Sequence, residues 1–273
     1  RPGQYFPVGE DEGGTYILNS KDMCMIEHIP ELFDCGIDSL KIEGRLKNES
    51  YVRNVVRDYS LALEEIVSRR SGEFVRGSFG KVTGGFTPDT RKTFNRGYTE
   101  LFIDGERGQW ACLDAAKSMG EEVGSVTSAG RDGLTVRMAD SSIVLNNGDG
   151  FSFVAKDGSV AGFRGDVCQG NTIRCKSIPS LFNGARIYRN INAAFEKELD
   201  RQNCTREIRV SADMDIKAEG TGWRITARAE SEDGRKAVVS SVIEGDKAQN
   251  LERMEGMIRG QMGKNTGSFA FTF

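Results

Sequence analysis

Histidine is almost missing from this chain, and its scarcity excludes more chemistry than any other feature of the composition. His28 is the single histidine among 273 residues. A Ser-His-Asp or Cys-His hydrolase would depend on it. It sits beside Glu27 and just before Pro30 in a helix-like run with no nucleophile motif nearby, so it reads as an ordinary helix residue. The paired histidines of a zinc-protease helix are missing too. Long apolar runs are also lacking. None approaches the ~18 residues that span a bilayer, and there is no charged-then-apolar leader, so neither a membrane partner nor a secretion signal is expected. The six cysteines are too irregularly spaced for a disulfide framework, which points to a reducing cytoplasm. Charge of neither sign prevails. With 37 basic and 40 acidic side chains and a net charge of -3, a globally basic nucleic-acid binder is excluded, whereas a local basic face is not.

What is present begins with "GTYILNSKDMCMIEHIPELFDCG", Gly14 to Gly36. Thr15 to Leu18 is β-branched and aromatic enough for a short buried strand. Asn19, Ser20 and Asp22 are helix-starting residues before an apolar run of Met23, Ile26, Ile29 and Leu32. The expected order is strand, loop, helix, with Asn19, Ser20, Lys21 and Asp22 capping the helix and Cys24 in its first turn. Two readings of Cys24 stay open: a small buried hydrophobe, or a thiolate favoured by the helix dipole at the C-terminal end of a strand. The same grammar repeats in "IDSLKIEGRLKNESYVRNVVRDYSLALEEIVSRR", with Ile37 to Ile42 as strand, Glu43 to Arg45 as loop, and a long helix whose Tyr51, Val55, Tyr59, Leu63 and Ile66 share one face. Two βα units cannot bury both faces of their own strands. Further strands are expected upstream of Arg1, which makes a fragment of a longer protein the expectation.

Residues 71–119 read as a basic linker rich in Gly and Phe. Short β runs follow: "VGSVTSA", "GLTVRMA", "GDGFSFVAKDG", "NTIRCKSI" and "GARIYRN". Strands at this spacing suggest a small closed barrel, finished by the amphipathic "INAAFEKELDRQ" with Ile191, Ala194, Phe195 and Leu199 on one side. Cys168 and Cys175 lack the second pair that zinc would need and fit facing strands of a hairpin as packing residues. From Arg206 come three alternating strands, a helix from Asp246 to Met262 with a buried stripe of Leu251, Met254, Ile258 and Met262, and a last strand "SFAFTF". The fold class is multidomain. It comprises the last two βα units of a TIM-like barrel (residues 1–70), the linker (71–119), a small all-β barrel with closing helix (120–200) and a C-terminal α+β domain (201–273).

The run "YFPVGEDEGGTYILNSKDMCMIEHIPELFDCGIDSLKIEGRLKNESYVRNVVRDY" resembles the collagenase-like peptidase family of unknown catalytic type, family 32. "FNRGYTELF", "VGSV…NNGDGFSF" and "IRGQMGKNTGSFAFTF" are similar to the collagenase-associated C-terminal region of its longer members. The resemblance implies a (β/α)8-type barrel whose first three quarters are absent here. In the branches that hydroxylate ribosomal or transfer RNA without oxygen, it also implies an iron-sulfur cluster whose last thiolate ligand matches Cys24. No cluster is expected in this chain by itself, because Cys35 reads as core. Glu43 and Arg45, at the barrel rim, are the catalytic candidates. The Arg45 guanidinium suits a prephenate-like dicarboxylate, while an internal Glu43–Arg45 pair is the plainer reading. In residues 69–98 seven cations face only Glu73 and Asp89, with Phe74, Phe79, Phe86, Phe94 and Tyr98 interleaved. Arg91, Lys92 and Arg96 are the RNA-binding candidates, against a solvated linker as the alternative. The partner is thus an RNA, ribosomal or transfer, or a polypeptide if the family's peptidase label describes the activity, with a non-catalytic binding module as the third reading.

Overall fold

The computed structural model describes residues 2–5, 19–105, 108–113, 115, 117–178 and 180–273. The expected strand Thr15 to Leu18 lies outside them. In chain order the elements are β1 (Asp22–Met23), α1 (Ile29–Asp34), α2 (Glu49–Arg69), β2 (Lys81–Gly84), β3 (Tyr98–Thr99), β4 (Glu121–Gly130), β5 (Gly133–Met138), β6 (Gly150–Val154), β7 (Val160–Arg164), β8 (Val167–Gln169), β9 (Thr172–Arg174), β10 (Arg186–Ile191), α3 (Ala193–Arg201), β11 (Cys204–Glu219), β12 (Gly222–Ser231), β13 (Lys236–Glu244), α4 (Leu251–Met262) and β14 (Phe269–Thr272). Short 3-10 turns occupy Ile26–His28 and Thr90–Lys92. This is a mixed α/β chain with curled sheets and few helices. It forms two compact units: Arg1–Arg70 with Thr87–Arg201, and Ser71–Phe86 with Gln202–Phe273.

The core of the first unit is an antiparallel seven-stranded sheet in the order β7-β6-β10-β4-β5-β9-β8. Its inward residues alternate with outward ones, so Val123, Leu134, Val136, Phe151, Phe153, Ile173 and Ile187 are buried together, and Phe151 stacks on Phe163 with centroids 5.3 Å apart. Each such side chain stabilises the fold by about 1.5–3 kcal/mol of removed apolar surface. Cys168 and Cys175 pack against this core. Burial pushes the Cys168 thiol up to about 11, with the Asp149 charge adding to it, and burial raises Cys175 as well. No ladder joins β7 to β8 among the described residues, so the expected closed barrel is a curled sheet. The curl is nevertheless obligatory, because only Gly165 and Asp166 separate these two opposite edges in the chain. The Gly165 N–H donates to Asp149 O (2.9 Å), while Gly165 O accepts from the Gly148 N–H (2.7 Å).

A buried charge cluster ties this sheet to α3. Arg189 is 4% exposed; its guanidinium donates to Glu121 Oε2 (2.6 Å), to Asp149 Oδ2 (3.2 Å) and to the carbonyl of Val144 (2.7 Å). Asp149 also accepts the Asn146 and Ala193 N–H groups, which fixes the start of α3. Within α3, Phe195 and Leu199 are buried, whereas Ile191 and Ala194, expected on the same face, are exposed because Ile191 ends β10 instead of opening the helix.

The helix α2 is capped at Asn48, whose side chain accepts the Tyr51 N–H (3.0 Å). It buries Tyr51, Asn54 and Val55, and it docks on α3 through Ser50 to Glu196 and Arg53 to the Leu199 carbonyl. The segment Ile37–Ile42, expected as a strand, runs without a ladder partner and largely exposed, since no strand lies beside it among the described residues and an extended segment needs a neighbour to become a sheet.

The second unit is one sheet in the order β13-β12-β11-β14, with β2 also paired to β11. The long β11 pairs antiparallel with β12 from Val210 to Glu219, parallel with β14 from Ile208 to Ser211, and antiparallel with β2 from Cys204 to Glu207. Of the stripe expected to be buried on α4, Met254, Ile258 and Met262 are half-buried and Leu251 is exposed, because the helix lies over a 490 Å³ hollow beside β11.

Candidate functional site around Cys24

The backbone reaches Cys24 along a short parallel ladder. Asp22 and Met23 pair with Tyr98 and Thr99, and the Cys24 N–H donates to Thr99 O (3.1 Å). Cys24 therefore follows a strand and precedes the helical turn; it is not in the helix. Two causes are visible. Pro30 sets α1 to begin at Ile29, and Asn19 to Asp22 are engaged elsewhere. The Asn19 carboxamide donates to the carbonyls of Cys112 (3.0 Å) and Ala115 (2.7 Å), and Lys21 N–H donates to Trp110 O (2.8 Å). The expected capping by these residues is replaced by attachment to Trp110, Cys112 and Ala115.

Asp22 is the electrostatic centre of the site. Its carboxylate accepts the Arg96 backbone N–H (3.0 Å) and lies 3.6 Å from the Arg96 guanidinium and 3.7 Å from Lys47 Nζ. Lys47 Nζ stands 3.2 Å over the Phe94 ring and 5.2 Å from that of Tyr51. Burial lowers the Lys47 pKa, opposed by Asp22 and reinforced by Arg96. Asn95 holds this arrangement in place: it is buried, donates to the carbonyls of Arg91 and Thr93, and accepts the Gly97 N–H.

Three phenols surround the thiol. The Tyr59 hydroxyl accepts the Met25 N–H (2.9 Å), and burial, with Cys24 and Asp58 beside it, leaves its pKa pushed up to about 12. Burial raises Tyr51, helped by the charges of Asp22, Cys24 and Glu43, and burial raises Tyr98, whose hydroxyl donates to Thr90 O (2.8 Å). All three stay protonated around neutral pH. With the Tyr98 O–H already donated to Thr90, the Tyr51 and Tyr59 hydroxyls remain beside one thiol and two half-buried cations, which is an environment for binding and orienting a polar, anionic group.

Glu43 and Arg45 are both exposed. Glu43 Oε1 accepts the backbone N–H of Arg45 (2.9 Å), so the pair is joined through backbone and not through a guanidinium fork, and that N–H lowers the Glu43 pKa. Glu43 bears on the site through its charge on Tyr51. Arg91 forks onto Asp89 (3.0 and 3.1 Å), and with Lys92 it lines a hollow that also holds Asp89, Glu121 and Glu198. The basic stretch divides between the units: Arg76 and Lys81 fall in the second, Arg91, Lys92 and Arg96 in the first.

His28 lies with Nε2 3.3 Å from Glu100 Oε2, and the ligand atoms of His28, Glu100 and Asp104 all fall within 4.8 Å of one another. Both carboxylates are exposed, and exposed acidic groups of this kind gather without an ion, so the cluster is not assigned as a metal site. The six cysteines are all free, and among the described residues no three thiols converge. Cys24 is half-buried and Cys35, expected as core, is exposed at the end of α1. The thiols of this chain do not fit a four-thiolate iron-sulfur centre, to which Cys24 offers one ligand at most. Sequence reasoning missed Lys47, Tyr51, Tyr59, Phe94 and Tyr98 as site residues. The tyrosines on α2 were legible only as an apolar stripe, and nothing local shows that Phe94 and Tyr98 fold back onto it.

A chain with this geometry has relatives. The 23S rRNA 5-hydroxycytidine C2501 synthase of Escherichia coli is 29% identical over 95% of this chain and 40% of the relative's length. The tRNA hydroxylation protein P of Escherichia coli is 38% identical over 38% of this chain and 20% of its own length. A collagenase of Porphyromonas gingivalis is 31% identical over 37% of this chain and 23% of its own. The chain thus spans at most about two fifths of these relatives. No solved structure matches it. No helix among the described residues is long and apolar enough to cross a membrane. Residues 3–111, which carry Cys24, Lys47, Tyr59 and Arg96, match the model of peptidase family U32, so this part of the chain is a U32 family domain.

Proposed function

We propose that this chain serves RNA hydroxylation as part of a longer protein, in which it completes the Cys24 site and holds the RNA. The observation that carries the reading is coverage: likeness to the rRNA synthase extends over 95% of the chain, through both units, whereas likeness to the collagenase takes in 37%. Residues 19–70 are then the end of a (β/α)8-type barrel, and Cys24 is one thiolate of an iron-sulfur centre whose other ligands lie outside this chain. Such a centre would supply redox chemistry when bound. The roles of this chain's own residues follow from its geometry. Lys47 and Arg96 attract an anionic group, Asp22 fixes the two cations, and Tyr51, Tyr59 and Tyr98 hold their protons at the phenolic oxygens and keep bulk water from the thiol. The exposed guanidinium of Arg45 is available to a dicarboxylate donor. A polypeptide substrate is the competing reading, and the surroundings of His28, which are carboxylates, do not favour it.

By itself the chain is expected to be catalytically inert. The test uses the full-length parent purified without oxygen, with iron content and RNA hydroxylation measured by mass spectrometry. Cys24→Ala is expected to lower both while the thermal melt is unchanged. Iron content equal to that of the parent would overturn the role given to Cys24, and proteolysis of gelatin with no RNA product would overturn the reading as a whole.

A further inference from the structure

A cleft of about 830 Å³ lies within the first unit, between residues 95–97, residues 108–113 and the outer surface of β4, β6 and β10. Its size falls in the ~300–1,000 Å³ range of ligand clefts. Two aromatic side chains line it from different elements, Trp110 from the segment that Asn19 and Lys21 fasten, and Tyr188 from β10. Three cations share the lining: Lys21, Arg96 and Arg186. The Arg186 side chain is 70% exposed and stands 4.0 Å from Glu122, the single carboxylate among the described residues of the lining. Gly97 is a glycine for a reason. It has φ +80°, and the position of a Cβ there is 3.6 Å from Cδ of Lys21, so the lysine stem passes directly over it into the cleft. The same short ladder that positions Cys24 therefore positions Lys21 and Arg96.

We infer that this cleft seats an unpaired nucleotide of the RNA, its base on the aromatic faces of Trp110 and Tyr188 and its phosphates toward Lys21, Arg96 and Arg186. The inference rests on the RNA reading above and adds where the strand lies. Stacking faces with interleaved cations are what a single strand requires, because every base has a π face and every linkage a negative charge. A collagen-type peptide meets neither demand. Its Gly-X-Y backbone carries no regular negative charge to match three cations. The placement also separates roles among the cations, since Arg91 and Lys92 sit in the other hollow among carboxylates while Arg96 faces this cleft.

The chain's two tryptophans supply the assay. In a Trp223→Phe background Trp110 is the sole tryptophan reporter, and a single-stranded RNA 12-mer added to the 273-residue chain is expected to quench its emission saturably. Tyr188→Ala should weaken binding on the order of tenfold to a hundredfold, whereas Tyr188→Phe, which keeps the ring, should bind as the parent does. Arg186→Gln should reduce the slope of log affinity against log salt by about 0.7. Circular dichroism melts identify any variant that does not fold, and Tyr188→Phe and Arg186→Gln then carry the test. If labelled RNA binds by anisotropy while Trp110 emission, Tyr188→Ala and Arg186→Gln all show no effect, the cleft is overturned and the RNA reading stands. If no RNA binds and a labelled gelatin peptide does, both fall.

Discussion

The carboxamide of Asn54 grips the backbone of Asp89 at both ends, donating Nδ2–H to its carbonyl (2.7 Å) and accepting its N–H at Oδ1 (3.0 Å). A further bond runs to Thr93 Oγ1 (3.0 Å), and the asparagine is fully buried. This one side chain on α2 therefore sets the 89–93 turn that leads into Phe94 and Arg96. Asn54→Ala would leave two part-buried backbone groups without this partner, at a cost of about 1 kcal/mol. A lowered midpoint in urea unfolding is expected, together with weakened RNA binding. An unchanged midpoint would show that the turn is held by other contacts.

Arg189 offers a sharper test of buried charge. Replacing it by methionine leaves Asp149, which is fully buried, without its cation, and the expected loss is about 3–5 kcal/mol. Adding Asp149→Asn to Arg189→Met should restore part of it, because the amide oxygen still accepts the Asn146 and Ala193 N–H groups. Equal stability of the single and double variants in denaturant titrations would contradict the assigned geometry.

Alkaline pH should destabilise the first unit. The Cys168 thiol is raised from 9.0 to about 11, so the unfolded chain loses this proton first, and stability is fully present below pH ~9 and falls as pH rises toward 11. Tyr59, raised from 10.0 to about 12, extends the same loss into the next window. Thermal melts between pH 8 and 11 should show a steeper decline for the parent than for Cys168→Val. Parallel declines would remove the thiol from the explanation.

Leu46 is 94% exposed and adopts φ +62°, between Arg45 and Lys47. The left-handed conformation costs a non-glycine residue roughly 1–2 kcal/mol, and glycine's extra chain entropy gives back roughly 0.5–1. Leu46→Gly should therefore raise stability by about 0.5–1 kcal/mol, seen as a higher melting temperature. A lower one would mean that the leucine makes a contact worth more than the strain.

What the sequence makes legible here is the local pattern. The strands of the curled sheet and of the second unit alternate with period two, and α2 and α4 repeat at helical spacing, so neighbours in the chain suffice to show them. The short β7 and β8 escaped because "VAGFR" and "VCQ" are too brief to show a period. Cys24 was placed one element too late because the partner strand that draws Asp22 out of a helix is Tyr98–Thr99, far along the chain. The candidate site was half legible for the same reason. Cys24, Glu43, Arg45 and Arg96 stand in short motifs, whereas Lys47 over Phe94 and Tyr59 beside Cys24 arise from packing. Asn54 reads as a polar break in an apolar stripe until its partners are seen.

The link between β7 and β8 bears on how the curled sheet assembles. Strands that are neighbours in sequence but opposite in the sheet cannot be added one at a time from a growing edge. In the folded sheet β8 is held to β5 through β9, and β7 to β10 through β6. The two-residue turn then fastens both edges in a single event, so loop-closure entropy is met late and all at once. Folding of this unit should accordingly be slow and highly cooperative, and a protease nick between Gly165 and Asp166 should turn one transition into two separable ones.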